Sequence, residues 1–281
     1  MVFQQVRLII AASEYESLCE MLENMGVLSI TLMDAEDNPI FEPDPGTMPI
    51  WEKAVVLALF DDKADLKNYP VEIIEDKAWQ RECMDQFHPM RFGEKLWICP
   101  SWHEVNEPDA VIVKLDPGLA FGTGSHATTK LCLTWLANHE LKNKIIIDYG
   151  TGSGILAIAA MKLGAKKVYA VDIDTQALQA VEENAAQNNV ELNICTPDKL
   201  AQNIKADIII ANILANPLIA LAPVFLSHLN KTGQIVLSGI LVSQIALVKH
   251  AYEPAIIFDT PVAEDDWGRL SGKLTSYIMK P

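Results

Sequence analysis

Four short stretches hold residues whose types and spacing could do chemistry. In I-I-I-D-Y-G-T-G-S-G, residues 145–154, an acid at Asp148 precedes glycines at 150, 152 and 154. Glycine lets backbone pass close to a ligand, or take positive φ, without a Cβ in the way. Asp172 closes the run V-Y-A-V-D, where a carboxylate can accept both hydroxyls of a ribose. Asn212 ends I-I-I-A-N within the longer I-I-I-A-N-I-L-A-N-P-L, and an amide carbonyl there can hold an amine donor without taking its proton. The fourth stretch, D-P-G-L-A-F-G-T-G-S-H-A-T-T-K over 116–130, gathers glycines, threonines, Phe121 and His126 in more density than a turn needs. Each has a plainer reading: glycine triplets make structural turns, and asparagine caps them. Together, in this order, they describe a nucleoside site.

The cofactor follows from spacing and charge. A dinucleotide fingerprint reads G-x-G-x-x-G with an acid about 20 residues further on. Here the turn is the tighter G-x-G-x-G, with an acid ahead of it at Asp148. S-adenosylmethionine suits that better: its thioether chain needs close backbone, and its ammonium needs a carboxylate, so Gly150, Gly152 and Asp148 are assigned to it together with Asp172. A nicotinamide-dependent oxidoreductase, the rival class, would need a Tyr/Lys or His arrangement at the sheet edge, which the chain does not offer.

Such groups need strands and helices to aim them. Three β-branched residues leading to Asp148 read as a buried parallel strand, and the following helix, from about Ser153 to Leu163, opens with its N–H groups toward the turn. From Lys144 onward the expected order is strand 145–149, helix 153–163, strand 167–171, helix 174–188, strands 190–195 and 206–211, helix 216–228, strand 233–238 and helix 243–251, with a last edge strand at 274–279. This rhythm predicts a doubly wound sheet with helices on both faces. Ahead of it come apolar runs at 95–101 and 110–115 and a helix from about Ala127 to His139.

The first quarter is different. Strands at 2–12, 27–33, 54–60 and 71–74, with helices at 14–24 and 61–68, give the βαββαβ order of a ferredoxin-like domain. Ser13 and Glu16 are spaced as a capping box. The expected organisation is a ferredoxin-like domain over 1–77, a linker over 78–93 and a Rossmann-like domain over 94–281.

Composition narrows the class. Of 281 residues half are hydrophobic and 21% charged, the balance of a soluble globular protein, and no run is long and apolar enough to span a membrane. Five cysteines, at 19, 83, 99, 132 and 195, show no C-x-x-C, which argues against zinc or a disulfide framework and for a reducing, cytoplasmic setting. Net charge is −15, and residues 1–77, with 16 acids against 5 bases, carry −11 of it. Such a segment repels nucleic acid and attracts a basic partner, although a merely solvated acidic surface would look the same.

The combination L-D-P-G-L-A-F-G-T-G-S-H-A-T-T, D-Y-G-T-G-S-G-I-L-A-I-A-A, V-D-I-D and A-N-I-L-A-N-P-L resembles the methyltransferase family that modifies large-subunit ribosomal protein L11. The likeness is close from about Trp79 to the end, and the F-G-T-G-x-H-x-T-T loop is specific to it. It implies a class I S-adenosylmethionine-dependent methyltransferase domain, a substrate-gripping N-terminal domain and a linker that lets it swing. It further implies methylation of lysine side chains and the N-terminal α-amine of L11. Cofactor contacts carry over onto Thr129, Gly150, Asp172 and Asn212, and Phe121 and His126 match the loop that closes over the cofactor. The family commonly has proline where this chain has Ala127. A class I methyltransferase acting on another protein or a small-molecule amine is the nearest alternative.

Overall fold

Strand Val2–Ala11 (β1) opens the chain in the computed structural model, which describes residues 2–36, 49–75, 87–116 and 124–275. The chain divides into two compact units, Met1–Met84 and Asp85–Pro281.

In the first unit, β1 is followed by a 3-10 turn at Ala12–Glu14, helix α1 (Tyr15–Asn24) and strands β2 (Ser29–Asp34), β3 (Lys53–Asp61) and β4 (Val71–Glu75). The sheet runs β2-β3-β1-β4 with every pair antiparallel, the strand arrangement of a ferredoxin-like fold. Val6, Val56, Ala58 and Phe60 face α1 through Leu22, with Tyr15 and Leu18 packed at the margin. Two expectations need correction. The backbone N–H of Ala11 donates to Glu14, so the capping box closes the 3-10 turn ahead of α1, at 11 and 14, rather than a helix start at Ser13 and Glu16. Residues 61–68 form turns instead of a helix: the carboxylate of Asp61 accepts from the N–H of Lys63, and Pro70 disfavours helical backbone at Tyr69. Leu66 nonetheless fills its place in the core at 4% exposure.

In the second unit, β5 (Met90–Phe92), β6 (Leu96–Cys99) and β7 (Val111–Lys114) form a small sheet. Strand β5 lies in the stretch expected to be linker. It pairs with β6 and buries Phe92, so the folded unit starts ahead of residue 94. Helix α2 (Ala127–Ala137) follows, with Ala127 at the first helical position, where proline is well tolerated.

The main sheet then alternates with helices: β8 (Ile145–Tyr149), α3 (Ile155–Lys162), β9 (Lys167–Val171), α4 (Thr175–Gln187), β10 (Asn193–Cys195), β11 (Ala206–Asn212), α5 (Ala215–Ala220), α6 (Ala222–His228), β12 (Leu229–Leu241), α7 (Ile245–Tyr252), β13 (Ile256–Phe258), β14 (Val262–Glu264) and β15 (Trp267–Leu274). Its order is β10-β9-β8-β11-β12-β15-β13, with β14 beside β15. The first five strands are parallel; β15 runs antiparallel to both neighbours. The expected helix over 216–228 is two, because Pro223 near the start of α6 has no N–H to continue the first. Strand β15 lies inside the sheet and ends at Leu274, and the final edge strand expected at 274–279 falls almost wholly outside the described residues, which end at 275. Ile146, Ile147, Ile208, Ile209 and Ile210 are at most 2% exposed. Each contributes roughly 1.5–3 kcal/mol by burial, and so holds the two strands that end at Asp148–Tyr149 and Asn212 rigidly side by side.

Candidate active site

The chain leaves β8 to build β9 and β10 on one side, then returns to place β11 on the other, so the order in which strands are added reverses between β8 and β11 while the strands stay parallel. Ligands of open α/β sheets bind outside the carboxyl ends of the strands at such a switch. The register puts Tyr149 beside Ala211, so the glycine turn and Asn212 emerge next to each other.

Asp148 is fully buried beneath the turn. Its Oδ2 accepts from Thr151 Oγ1 at 2.7 Å and from the N–H of Ala157 at 3.1 Å, tying the turn to the first residues of α3. Its Oδ1 has no partner among the described residues. Burial pushes the Asp148 carboxyl up to about 7; the two hydrogen bonds oppose that shift, and the charge of Asp172 adds to it. The turn is pinned to the end of β9, where the N–H groups of Gly150 and Thr151 donate to Val171. Gly150, Gly152 and Gly154 all have positive φ, a conformation that side chains resist. Asp172 takes the N–H of Gly152 on one oxygen at 2.9 Å and that of Asp174 on the other at 3.0 Å. A carboxylate has about four acceptor positions, so two remain for a diol.

Across the switch, Asn212 uses its amide nitrogen on Thr129 Oγ1 at 3.2 Å and keeps its carbonyl oxygen as an acceptor. Thr129 is buried in the first turn of α2. His126 caps that helix, its Nδ1 lying 2.7 Å from Thr128 Oγ1. Thus Asp148, Gly150, Gly152 and Asp172 form one bonded cluster, and Thr129 and Asn212 a second beside it. Phe121 lies outside the described residues.

Several neighbours carried no signal in the sequence. Trp267 meets the His126 ring edge-on at 5.1 Å, Glu264 pairs with Lys130 at 3.4 Å, and the buried Arg269 donates to the carbonyl of Leu131 at 3.1 Å. All three come from the β14–β15 hairpin and fasten α2, far away in the chain, where no local spacing rule reaches. Ile173 is 83% exposed between Asp172 and Asp174, an apolar surface beside the Asp172 carboxylate. That exposure was the only available sign, and it is not readable from residue type.

The Asp172 carboxylate stands at the edge of the turn, Asp148 is buried beneath it, and the open edge offers close backbone. Pyrophosphate would meet repulsion here, whereas a cofactor bearing a sulfonium and an ammonium meets the charge it needs. The site therefore fits S-adenosylmethionine, and on a sheet of this order the chain is a class I methyltransferase that depends on that cofactor.

The family model described as Ribosomal protein L11 methyltransferase (PrmA) matches residues 2–275, and the chain belongs to that family. The ribosomal protein L11 methyltransferase of Glaesserella parasuis serovar 5 is 47% identical over 290 residues, covering 97% of this chain and 99% of the relative. That of Mannheimia succiniciproducens is 47% identical over 292 residues, covering 98% and 100%. The crystal structure of ribosomal protein L11 methylase from Lactobacillus delbrueckii subsp. bulgaricus is similar with a TM-score of 0.61 at 38% identity, over 67% of this chain and all of that one.

Proposed function

We propose that the chain transfers methyl groups from S-adenosylmethionine to lysine side chains and the N-terminal α-amine of large-subunit ribosomal protein L11, the substrate for which its relatives are named. The observation that carries this reading is the Asn212–Thr129 pair standing beside the glycine turn at the switch point.

S-adenosylmethionine supplies a methyl group already activated on sulfur, so the protein has mainly to align an amine with it. Proximity and orientation account for much of such a barrier. Asp172 accepts the ribose hydroxyls, Ile173 supports the base, and Gly150 and Gly152 let backbone reach the amino-acid end, with Asp148 holding the turn from beneath. Asn212 accepts an N–H of the incoming amine through its carbonyl oxygen, while Thr129 fixes the amide's orientation. His126 caps the helix that carries Thr129. Amines of pKa near ~10.4 for lysine and ~8 for an α-amine must lose a proton before attack. Loss to water before the amine docks is enough, and no side chain need act as base.

The acidic N-terminal unit would hold the protein substrate. Ribosomal proteins that bind RNA are basic, and opposite charge steers encounter and selects partners. Work on a ribosomal protein places the activity in the cytoplasm; among the described residues no helix is long and apolar enough to cross a membrane.

Incubation with labelled S-adenosylmethionine and purified L11 tests the proposal. Label on L11 amines is expected; label appearing only on another protein or a small amine would replace L11 as the substrate.

A further inference from the structure

We propose that Ile213 is a positioning residue for methyl transfer: wedged between Gly150 and Gly239, it sets where Asn212 stands relative to the glycine turn. This rests on the reading that Asn212 meets the acceptor amine.

The wedge touches its two glycines in different ways. A Cβ on Gly150 would lie 2.2 Å from Ile213 Cγ2, with Ile213 Cβ next at 3.7 Å, so the turn is met by side chain alone. A Cβ on Gly239 would lie 2.4 Å from the carbonyl oxygen of Ile213, 2.7 Å from its carbonyl carbon and 3.0 Å from its nitrogen, so β12 is met by backbone. Both glycines have positive φ, +76° and +82°. Gly239 sits where the register of β12 against β15 shifts, between Leu237 and Ile240. That irregularity brings β12 up against the residue following Asn212. The cofactor turn and the acceptor amide are thus spaced through one isoleucine. Its β-branch matters, because Cγ2 is the atom on the turn and a β-branched χ1 is stiff.

The wedge makes a prediction that packing does not. Ile213→Val is smaller but keeps Cγ2; Ile213→Leu conserves volume but moves the branch outward and loses that atom. We expect Val to stay within about threefold of the parent kcat, and Leu and Ala to fall about tenfold or more, with cofactor Kd by calorimetry changed less than about threefold. A role in packing volume alone gives the reverse order, since volume-conserving swaps are the best tolerated. Coupling is checked by a cycle. In Gly150→Ala the new methyl meets only the Ile213 side chain, so adding Ile213→Ala should restore part of the lost cofactor affinity, the strain of positive φ remaining. Leu outperforming Val, or strictly additive effects in the cycle, overturns the wedge. Asn212→Ala separates the failures. Unchanged turnover there removes the acceptor reading and this proposal with it, whereas impaired turnover with Leu as active as Val removes the wedge alone.

Discussion

Asn212 donates from Nδ2 to Thr129 Oγ1 at 3.2 Å, joining the end of β11 to a helix 83 positions earlier in the chain. On the proposed reading that bond orients the amide toward the acceptor amine, while the bonded glycine turn beside it serves the cofactor. Changes on either side should therefore separate kinetically.

Thr129→Val removes the hydroxyl that orients the amide while keeping the side chain's shape. A hydrogen bond of this kind contributes about 1 kcal/mol, so kcat should fall roughly 5- to 10-fold. Asn212→Ala should lower it further, since the acceptor itself is gone. Steady-state kinetics beside cofactor titration checks both; a loss appearing only in cofactor affinity would move the pair to the cofactor side.

Asp172→Ala should act in the opposite sense. Hydrogen bonds to a charged group contribute about 1.5–3 kcal/mol, and two to a ribose predict a rise in cofactor Kd on the order of 100-fold or more. Calorimetry reads this directly, and an unaltered Kd would refute the ribose assignment.

Asp148 gives the apo protein a specific pH dependence. Its carboxyl is raised from 3.8 to about 7 in the fold, first by burial. Between those values the native state holds a proton that the unfolded chain has released. The contribution of this group to stability is therefore greatest below pH 4 and falls as pH rises to 7. A shift of this size corresponds to about 4 kcal/mol. Asp148→Asn can still accept from Thr151 and Ala157 and does not titrate. Its melting temperature relative to the parent, measured without cofactor, should climb between pH 5 and 8; a flat or falling difference would show that burial does not raise this group.

The acidic N-terminal unit predicts salt sensitivity. KM for L11 should rise several-fold between 50 and 200 mM salt while cofactor Kd changes little, because screening acts on exposed charges. Removing residues 1–77 should leave cofactor binding intact, since the two large core clusters lie outside that segment, and abolish L11 methylation. Retained methylation would end this division of labour.

The glycine turn was legible because strand, turn and helix there are contiguous, and each residue's conformation answers to its near neighbours. Asp172, one strand further on, could be placed for the same reason. Local signals failed where something nearby competed. Glu14 reached the Ala11 N–H before Glu16 could cap from Ser13, and an Asp61 side-chain bond replaced the helix expected over 61–68.

Residue types and spacing alone established a doubly wound domain, a ferredoxin-like strand order before it, a glycine turn at 148–154 of a kind suited to S-adenosylmethionine and an amide at 212. These rest on periodicities and motifs a few residues long. Only the tertiary structure decided that Thr129 orients Asn212, that the β14–β15 hairpin fastens α2, and that Ile213 fills the gap between Gly150 and Gly239. Those contacts join segments far apart in the chain, and side chains so separated meet only where strand order and register bring them together. The glycine turn is thus a local feature of the chain, while its alignment with Asn212 is a property of the packed sheet.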